Sequence, residues 1–331
     1  MKNNTNPMKP ASWLWAVFAT LLVMGAFVPP PAQAQLPARF YWKTLSNANA
    51  VPLVYESFSG NTNPFDPAHN VMPDSNLEVT MALAGYARTF SLCDRAAMGS
   101  VIVPMGHISG EVSSAGKSAS QTARGYGDPM LEFTINVLGP PAQNDLPDAM
   151  RYEPGFSVDF LTDLYLPVGE YDNDRSINIG QNRWYGRIGA PIVWQLGPWV
   201  PGRRTTLEFL PAVWLYGNNN DYVGQKMETD PMFQLDAHLT RDFMERLWGS
   251  LDGCWYEHGK STINGVEGDS FRTLAVGLTL GYTINDNINL TFGYKSTVND
   301  SDPGDMQMDG FMITLMSGWH PLIEGFQRLK E

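Results

Sequence analysis

From Leu274 to Ile284 every second residue is large and apolar, and the intervening residues are Ala, Gly and Thr. A period of two places these sets on opposite faces of an extended strand, one greasy and one small or polar. The pattern recurs. Phe156, Val158, Phe160, Leu164 and Leu166 oppose Ser157, Asp159, Asp163 and Tyr165, with Leu161 as an apolar exception. Phe233, Leu235, Ala237 and Leu239 oppose Asp230, Gln234, Asp236 and His238. Leu247, Leu251 and Trp255 oppose Ser250, Asp252 and Cys254. Around Ser100–Ile108 the alternation breaks down and assigns no faces. The pattern predicts twelve strands, over 51–59, 77–90, 97–109, 129–138, 155–167, 182–196, 203–216, 226–241, 246–257, 270–284, 287–298 and 308–319.

The connections alternate in length. Leu92–Arg95, Gly197–Pro201, Asp242–Glu245 and Asn285–Asp286 are short. Gly60–Asn76, Gly110–Asp128, Gly169–Gln181, Gly217–Gln225, His258–Glu267 and Asn299–Asp305 are mostly longer and rich in Gly, Asn, Asp and Ser. Such alternation fits periplasmic turns opposite extracellular loops. Gly139–Pro154 is a long connection on the short side, and Pro140, Pro141 and Pro147 within it argue for an ordered turn. Aromatic residues fall near both strand ends of the apolar face: Phe156, Trp194, Tyr282 and Trp319 at one, Trp184, Trp255, Tyr294 and Phe311 at the other. Two girdles are what an outer-membrane barrel needs at its two interfaces.

Lys2 and Lys9, the apolar run Trp13–Val28 and the small-residue site ending at Ala34 read as an export signal over 1–34. An uncleaved membrane anchor is the alternative. After Ala34 no apolar run approaches the ~18–20 residues of a spanning helix. Mean hydropathy of −0.22 argues against a helical membrane bundle, yet half-apolar strands tolerate it. The net charge of −12 argues against a nucleic-acid partner. The expected product is an all-β transmembrane antiparallel barrel of about twelve strands, over 51–320, in the outer-membrane lipid of a bacterium. A segment 35–50 precedes it and a tail 321–331 follows it. Cys93 and Cys254 fall on distant strands, so no disulfide is expected.

Several segments occur in order along the chain: Tyr41–Leu45, Asn47–Leu53, Gly60-Asn61-Thr62-Asn63-Pro64, Gly127-Asp128-Pro129-Met130 and Asn178-Ile179-Gly180-Gln181-Asn182-Arg183-Trp184. In these the chain resembles the outer-membrane transporter family named after the meta-pathway of phenol degradation. The resemblance implies a barrel for uptake of small hydrophobic or aromatic compounds, and implies no catalytic residues. Barrels commonly end on an aromatic residue, whereas here His320–Glu331 follow Trp319.

With the apolar face outward, the lumen receives Glu78, Arg88, Glu132, Asp159, Asp163, Arg183, Arg187, Glu208, Asp230, Asp236 and His238. Asp159 and Asp163 lie on the strand beside Arg183 and Arg187, and Glu208 on the next. Charges in a narrow barrel must be paired or hydrated. They therefore form either a structural ion-pair network or the lining of a substrate pathway, built from Asp159, Asp163, Arg183, Arg187, Glu208, Asp230, Asp236 and His238. An outer-membrane hydrolase is a third reading, because Asp236 and His238 share a face, but G-x-S-x-G is missing. A barrel with a structural role only is a fourth.

No cofactor and no metal site is expected. The histidines lack metal-ligand spacing. Gly116-Lys117-Ser118 is not a P-loop, because Glu111 stands where its first glycine belongs. Asp172-Asn173-Asp174 and Asp300-Ser301-Asp302 complete no EF-hand. The segment 35–50, with Arg39, Phe40, Tyr41, Trp42 and Lys43, is too apolar for a free tail. It is expected either to plug the barrel, with Arg39 and Lys43 against wall carboxylates such as Asp159 or Glu208, or to rest on the membrane surface.

Overall fold

In the computed structural model, residues 37–114, 117–298, 304–321 and 323 are described. The export signal over 1–34 lies outside them, as do Gly116, Asp300-Ser301-Asp302 and all but two residues of the 321–331 tail. The strands are β1 (Asn49–Gly60), β2 (Asn76–Leu92), β3 (Arg95–Ser114), β4 (Lys117–Tyr126), β5 (Met130–Leu138), β6 (Phe156–Tyr165), β7 (Tyr185–Gly189), β8 (Ile192–Gln195) and β9 (Thr205–Tyr216). They continue with β10 (Asn219–Tyr222), β11 (Gln225–Thr229), β12 (Met232–Asp242), β13 (Leu247–His258), β14 (Ser261–Ile263), β15 (Val266–Glu267), β16 (Phe271–Asn285), β17 (Ile288–Thr297) and β18 (Met308–Trp319).

Each wall strand pairs antiparallel with its neighbours, and β1 pairs with β18 from Asn49↔Trp319 to Gly60↔Met308. That pairing closes a 12-strand barrel, so no wall strand is left with an unpaired edge. β7 and β8 together make one wall strand, interrupted at Ala190-Pro191. Pro191 has no N–H to give the ladder, but its carbonyl still accepts from the Asp159 N–H at 2.8 Å.

All twelve expected strands are present. The expected eighth strand, 226–241, is two elements: β11, and β12 starting at Met232. The expected loop 110–128 is largely a hairpin, since β3 and β4 pair from Met105↔Tyr126 to Ser114↔Lys117. At the same end β10, β11, β14 and β15 form a separate sheet from two loops. In the Gly139–Pro154 connection a short helix, α1 (Leu146–Arg151), is capped by Asp145, whose carboxylate accepts from the Asp148 N–H at 2.9 Å. Cys93, in the tight β2–β3 turn, and Cys254, buried on β13, are both free thiols.

The wall phases follow the alternation where it is clean. On β16 Leu278 is 55% exposed, whereas Ala275 and Thr279 are buried. The girdle aromatics face outward, with Phe156 edge-on to Trp194 and Phe233 edge-on to Trp255. Leu278→Arg should therefore cost about 2–4 kcal/mol of barrel stability in lipid. An inward control needs care. A Cβ on the lumen-side Gly277 would stand 2.5 Å from the Tyr294 carbonyl oxygen, so even a small side chain strains that position. Thr291, inward on β17, is the better control, and Thr291→Ser should cost far less. Equal losses in equilibrium unfolding from bilayers would contradict the assigned phase.

The loop end and the turn end are also testable. Asn219 is buried, but its neighbour Asn220 and Glu267 are exposed on the loop-end sheet. In a variant lacking Cys93 and Cys254, cysteine at Asn220 or Glu267 should react with an impermeant maleimide on intact cells. Cysteine at Asp286, in the β16–β17 turn, should not. The reverse pattern would invert the barrel.

Candidate functional site

The lumen is divided into three tiers. At the turn end, residues 37–46 lie against inward-facing wall residues. Arg39 pairs with Asp242 at 2.6 Å, its backbone N–H donates to Glu208 at 2.9 Å and its Nε to Thr240 at 3.1 Å. The Arg39 guanidinium lies between the rings of Trp42 and Trp248, 4.2 and 4.4 Å from their centroids. Trp42 donates its indole N–H to Glu208 at 2.7 Å. Lys43 donates to Asp159 at 2.6 Å and to Ser157 at 2.9 Å. Burial pulls the Arg39 guanidinium down to about 10 against the opposing pull of Asp242, and burial lowers the Lys43 ammonium in the same way. Both cations are held by carboxylates, as buried charges must be. Tyr41 packs on the buried cluster of Leu161, Leu210 and Ala212, which accounts for the inward apolar exception on β6. Beside it a small cleft is bounded by Pro37, Phe40, Val193, Glu208, Asp236 and His238.

The middle tier is polar and aromatic. Arg187 donates its Nε to Asp163 at 2.7 Å, and its Nη1 reaches Gln234 at 3.4 Å. Gln234 in turn donates to Asp236 at 2.7 Å and accepts the Trp214 indole N–H at 2.6 Å. Glu132 is the cross-strand partner of Asp163. Above them Tyr165 stacks on Tyr185 at 4.4 Å. His238 does not work with Asp236. Its Nδ1 lies 2.6 Å from Asp252, and Ser250 donates to that same Asp252 oxygen. A serine that bonds to the carboxylate rather than to the imidazole is not poised as a nucleophile.

At the loop end the wall's rule reverses. Leu77, Val79 and Met81 of β2 face inward, with Phe58, Ile108 and Met308. They enclose Phe65 from the 61–75 loop, Ile177 and Ile179 from the 166–184 loop and Met306 from the β17–β18 connection, so that folded-in loops form an apolar core inside the barrel mouth. Glu78 and Arg88, expected in the lumen, are consequently exposed on the outer face of β2. Asp230 is also exposed rather than inside, because it lies in the β11–β12 connection before the wall strand starts. Arg183 meets neither Asp159 nor Asp163. It donates to Asp66 at 2.8 Å and to Thr229 at 2.7 Å.

The sequence motifs meet here. Asp128 accepts the N–H groups of Gly169 and Gln181, both at 2.8 Å. Asn63 donates to the Asn178 carbonyl at 2.7 Å, and Asn61 to that of Asp305 at 2.8 Å. A Cβ on Gly169 would stand 2.8 Å from the Asp128 carboxylate, and one on Gly180 2.6 Å from Gly169, so the close approach requires glycine at both. Charge alternation also missed Glu56, Lys295 and Asp242. Glu56 and Lys295 are buried inward residues of β1 and β17. Asp242 accepts from Arg39 and Arg204 at the turn end.

His69 makes the outer tier pH-sensitive. Burial lowers its imidazole from 6.5 to about 4, with Asp66 opposing and His258 alongside at a ring separation of 6.1 Å. A base depressed by docking favours the docked loop above its free value. That stability, about 3 kcal/mol, is present in full above pH 6.5 and drains away as pH falls toward 4. Proteolysis of the 61–75 loop should accelerate across this window in wild type and less steeply in His69→Gln, where His258, whose Nδ1 lies 3.2 Å from the Ala68 carbonyl of the same loop, remains.

Among the described residues no helix is long and apolar enough to cross a membrane, and the chain crosses with strands. No curated protein matches it in sequence. Among solved structures it is similar to an outer membrane channel from Pseudomonas putida F1, at 15% identity and a TM-score of 0.68, covering 86% of this chain and all of that one. It is less similar to the translocator domain of the autotransporter NalP from Neisseria meningitidis, at 10% identity and a TM-score of 0.47, over 84% of this chain and 89% of that one. The fold is that of a bacterial outer-membrane barrel. A family model covers residues 60–315, which contain the loop motifs and nearly all of the wall, and the chain therefore belongs to the family described as "Putative MetA-pathway of phenol degradation".

Proposed function

We propose that this outer-membrane channel admits small hydrophobic or aromatic compounds through its middle tier, and that the segment before β1, residues 37–46, closes it from the turn end as a plug; Asn49 and Ala50, expected in that segment, belong to the wall. The observation that carries the reading is the lumen's composition. Apolar loop residues fill the mouth, aromatic rings and one connected polar chain occupy the middle, and a segment held by ion pairs fills the base. A hydrophobic solute meets apolar side chains first, and then rings on which it can stack. Of the charged residues expected to line the path, Asp163, Arg187, Asp236 and His238 belong to the passage in this reading. Asp159 and Glu208 belong to the plug's dock, and Arg183 to the loop-end clasp. The test is an uptake assay in liposomes against a panel of aromatic compounds, with toluene as the simplest member. Influx no faster than through empty liposomes, in the wild type and in a chain lacking 35–46, would reject the reading.

A further inference from the structure

The plug's dock and the Asp163–Arg187–Gln234 chain leave one wall of the middle tier unused. That wall is β17, β18 and β1. Glu56 of β1 stands opposite Met312 of β18, and Met312 opposite Gly293 of β17. Thr314 and Lys295 lie two residues from Met312 and Gly293 on the same inward face. Glu56, Lys295 and Thr314 are at least nine-tenths buried. Yet Glu56 Oε2, Lys295 Nζ and Thr314 Oγ1 make no hydrogen bond, and among the described residues no ion pair joins Glu56 to Lys295. Gly293 between them has no side chain, and its nearest neighbour would be the flexible Met312 methyl, 3.3 Å from a Cβ. Toward the mouth the same face carries Phe58 and Met308 of the apolar core.

Three buried polar atoms without partners are costly, and natural interiors rarely keep them without use. Here they are one acceptor, one donor and one group that is both. We infer that Glu56, Lys295 and Thr314 form a recognition site for a ring-borne hydroxyl, with the ring resting on Phe58, Met308 and Met312. A hydroxyl donates to the Glu56 oxygen and accepts from the Lys295 ammonium with a single atom. A methyl ether keeps the acceptor and loses the donor. A carboxylate can pair with Lys295 but has no proton to give Glu56. The site thus selects the hydroxyl over both, and for a reason that burial strengthens: a site built around a hydroxyl rejects its analogues by leaving its own polar groups unpaired.

The inference rests on the proposed passage, but binding can be measured apart from transport. Calorimetric titration of the full-length protein in detergent with phenol, anisole and benzoate reads the site directly. Phenol should bind about tenfold or more tighter than anisole or benzoate, the discrimination typical of one lost buried hydrogen-bond partner. Glu56→Gln and Lys295→Met should each erase most of that preference. The double variant E56Q/K295M leaves no unpaired charge and keeps the comparison valid if a single variant fails to fold, which heat-modifiability on a gel reports. Equal affinity for phenol and anisole, or an unchanged preference in the double variant, would overturn the site. Transport of toluene with no hydroxyl preference would overturn the site alone. Tight phenol binding without transport of any aromatic would overturn the passage and leave the site standing.

Discussion

Deletion of residues 35–46 should raise single-channel conductance several-fold in planar bilayers, with the barrel still folded and heat-modifiable. The segment contributes Arg39, Trp42 and Lys43 to the turn end of the lumen, where Asp242, Glu208 and Asp159 receive them. Removing it also admits water, so those three carboxylates become hydrated rather than stranded. The barrel wall keeps its ladder, because residues 37–48 add no strand to it. A point substitution behaves differently. Lys43→Met leaves the segment in place with Asp159 buried and unpaired, which costs the docked state about 3–5 kcal/mol. That variant should show intermittent openings rather than a constant high conductance. An unchanged conductance in a folded deletion variant would rule the plug out and favour a segment that rests outside the passage.

The wall was legible because its physics is local and repetitive. A lipid-facing strand must show apolar residues every second position, and Phe233–Leu239 and Leu274–Tyr282 could hardly be read otherwise. The alternation misled where its premise failed. It assumes a polar lumen, but the mouth of this barrel is filled by Phe65, Ile177 and Ile179 from loops. Leu77, Val79 and Met81 therefore turn inward, and Glu78 is left outside. The same loop core accounts for the unreadable third strand, where Ile108 and the close-packed Gly106 face Phe65. Partners were harder to read than faces. Asp66 and Arg183 are 117 residues apart and meet only because both loops fold into one mouth. The motif segments were visible as motifs, but their mutual contact was not, since backbone N–H groups carry no sequence signal.

The strongest test of that mouth is Asp128→Ala. The carboxylate sits in the Gly127-Asp128-Pro129 connection, 1% exposed, and takes the N–H groups of Gly169 and Gln181 at 2.8 Å each. These two residues flank the loop that carries Ile177 and Ile179 into the apolar core. Alanine leaves the buried Gln181 N–H and the half-buried Gly169 N–H without this partner, at a cost of about 1–3 kcal/mol for a buried group left unsatisfied. Both lost bonds lie at the two ends of this one loop, with Gly169 packed against Asp128 and Gly180 against Gly169, so the energy falls on docking itself. The expected result is a loop released from the mouth: faster proteolysis within 169–181 and larger current fluctuations, while the barrel's melting changes little because the wall ladder is untouched. Asp128→Asn should lie between the two, since an amide oxygen can still accept from one N–H while its NH2 group can only donate. If Asp128→Ala lowered the melting of the whole barrel as much as it loosened the loop, Asp128 would be a fold residue rather than a clasp on the mouth.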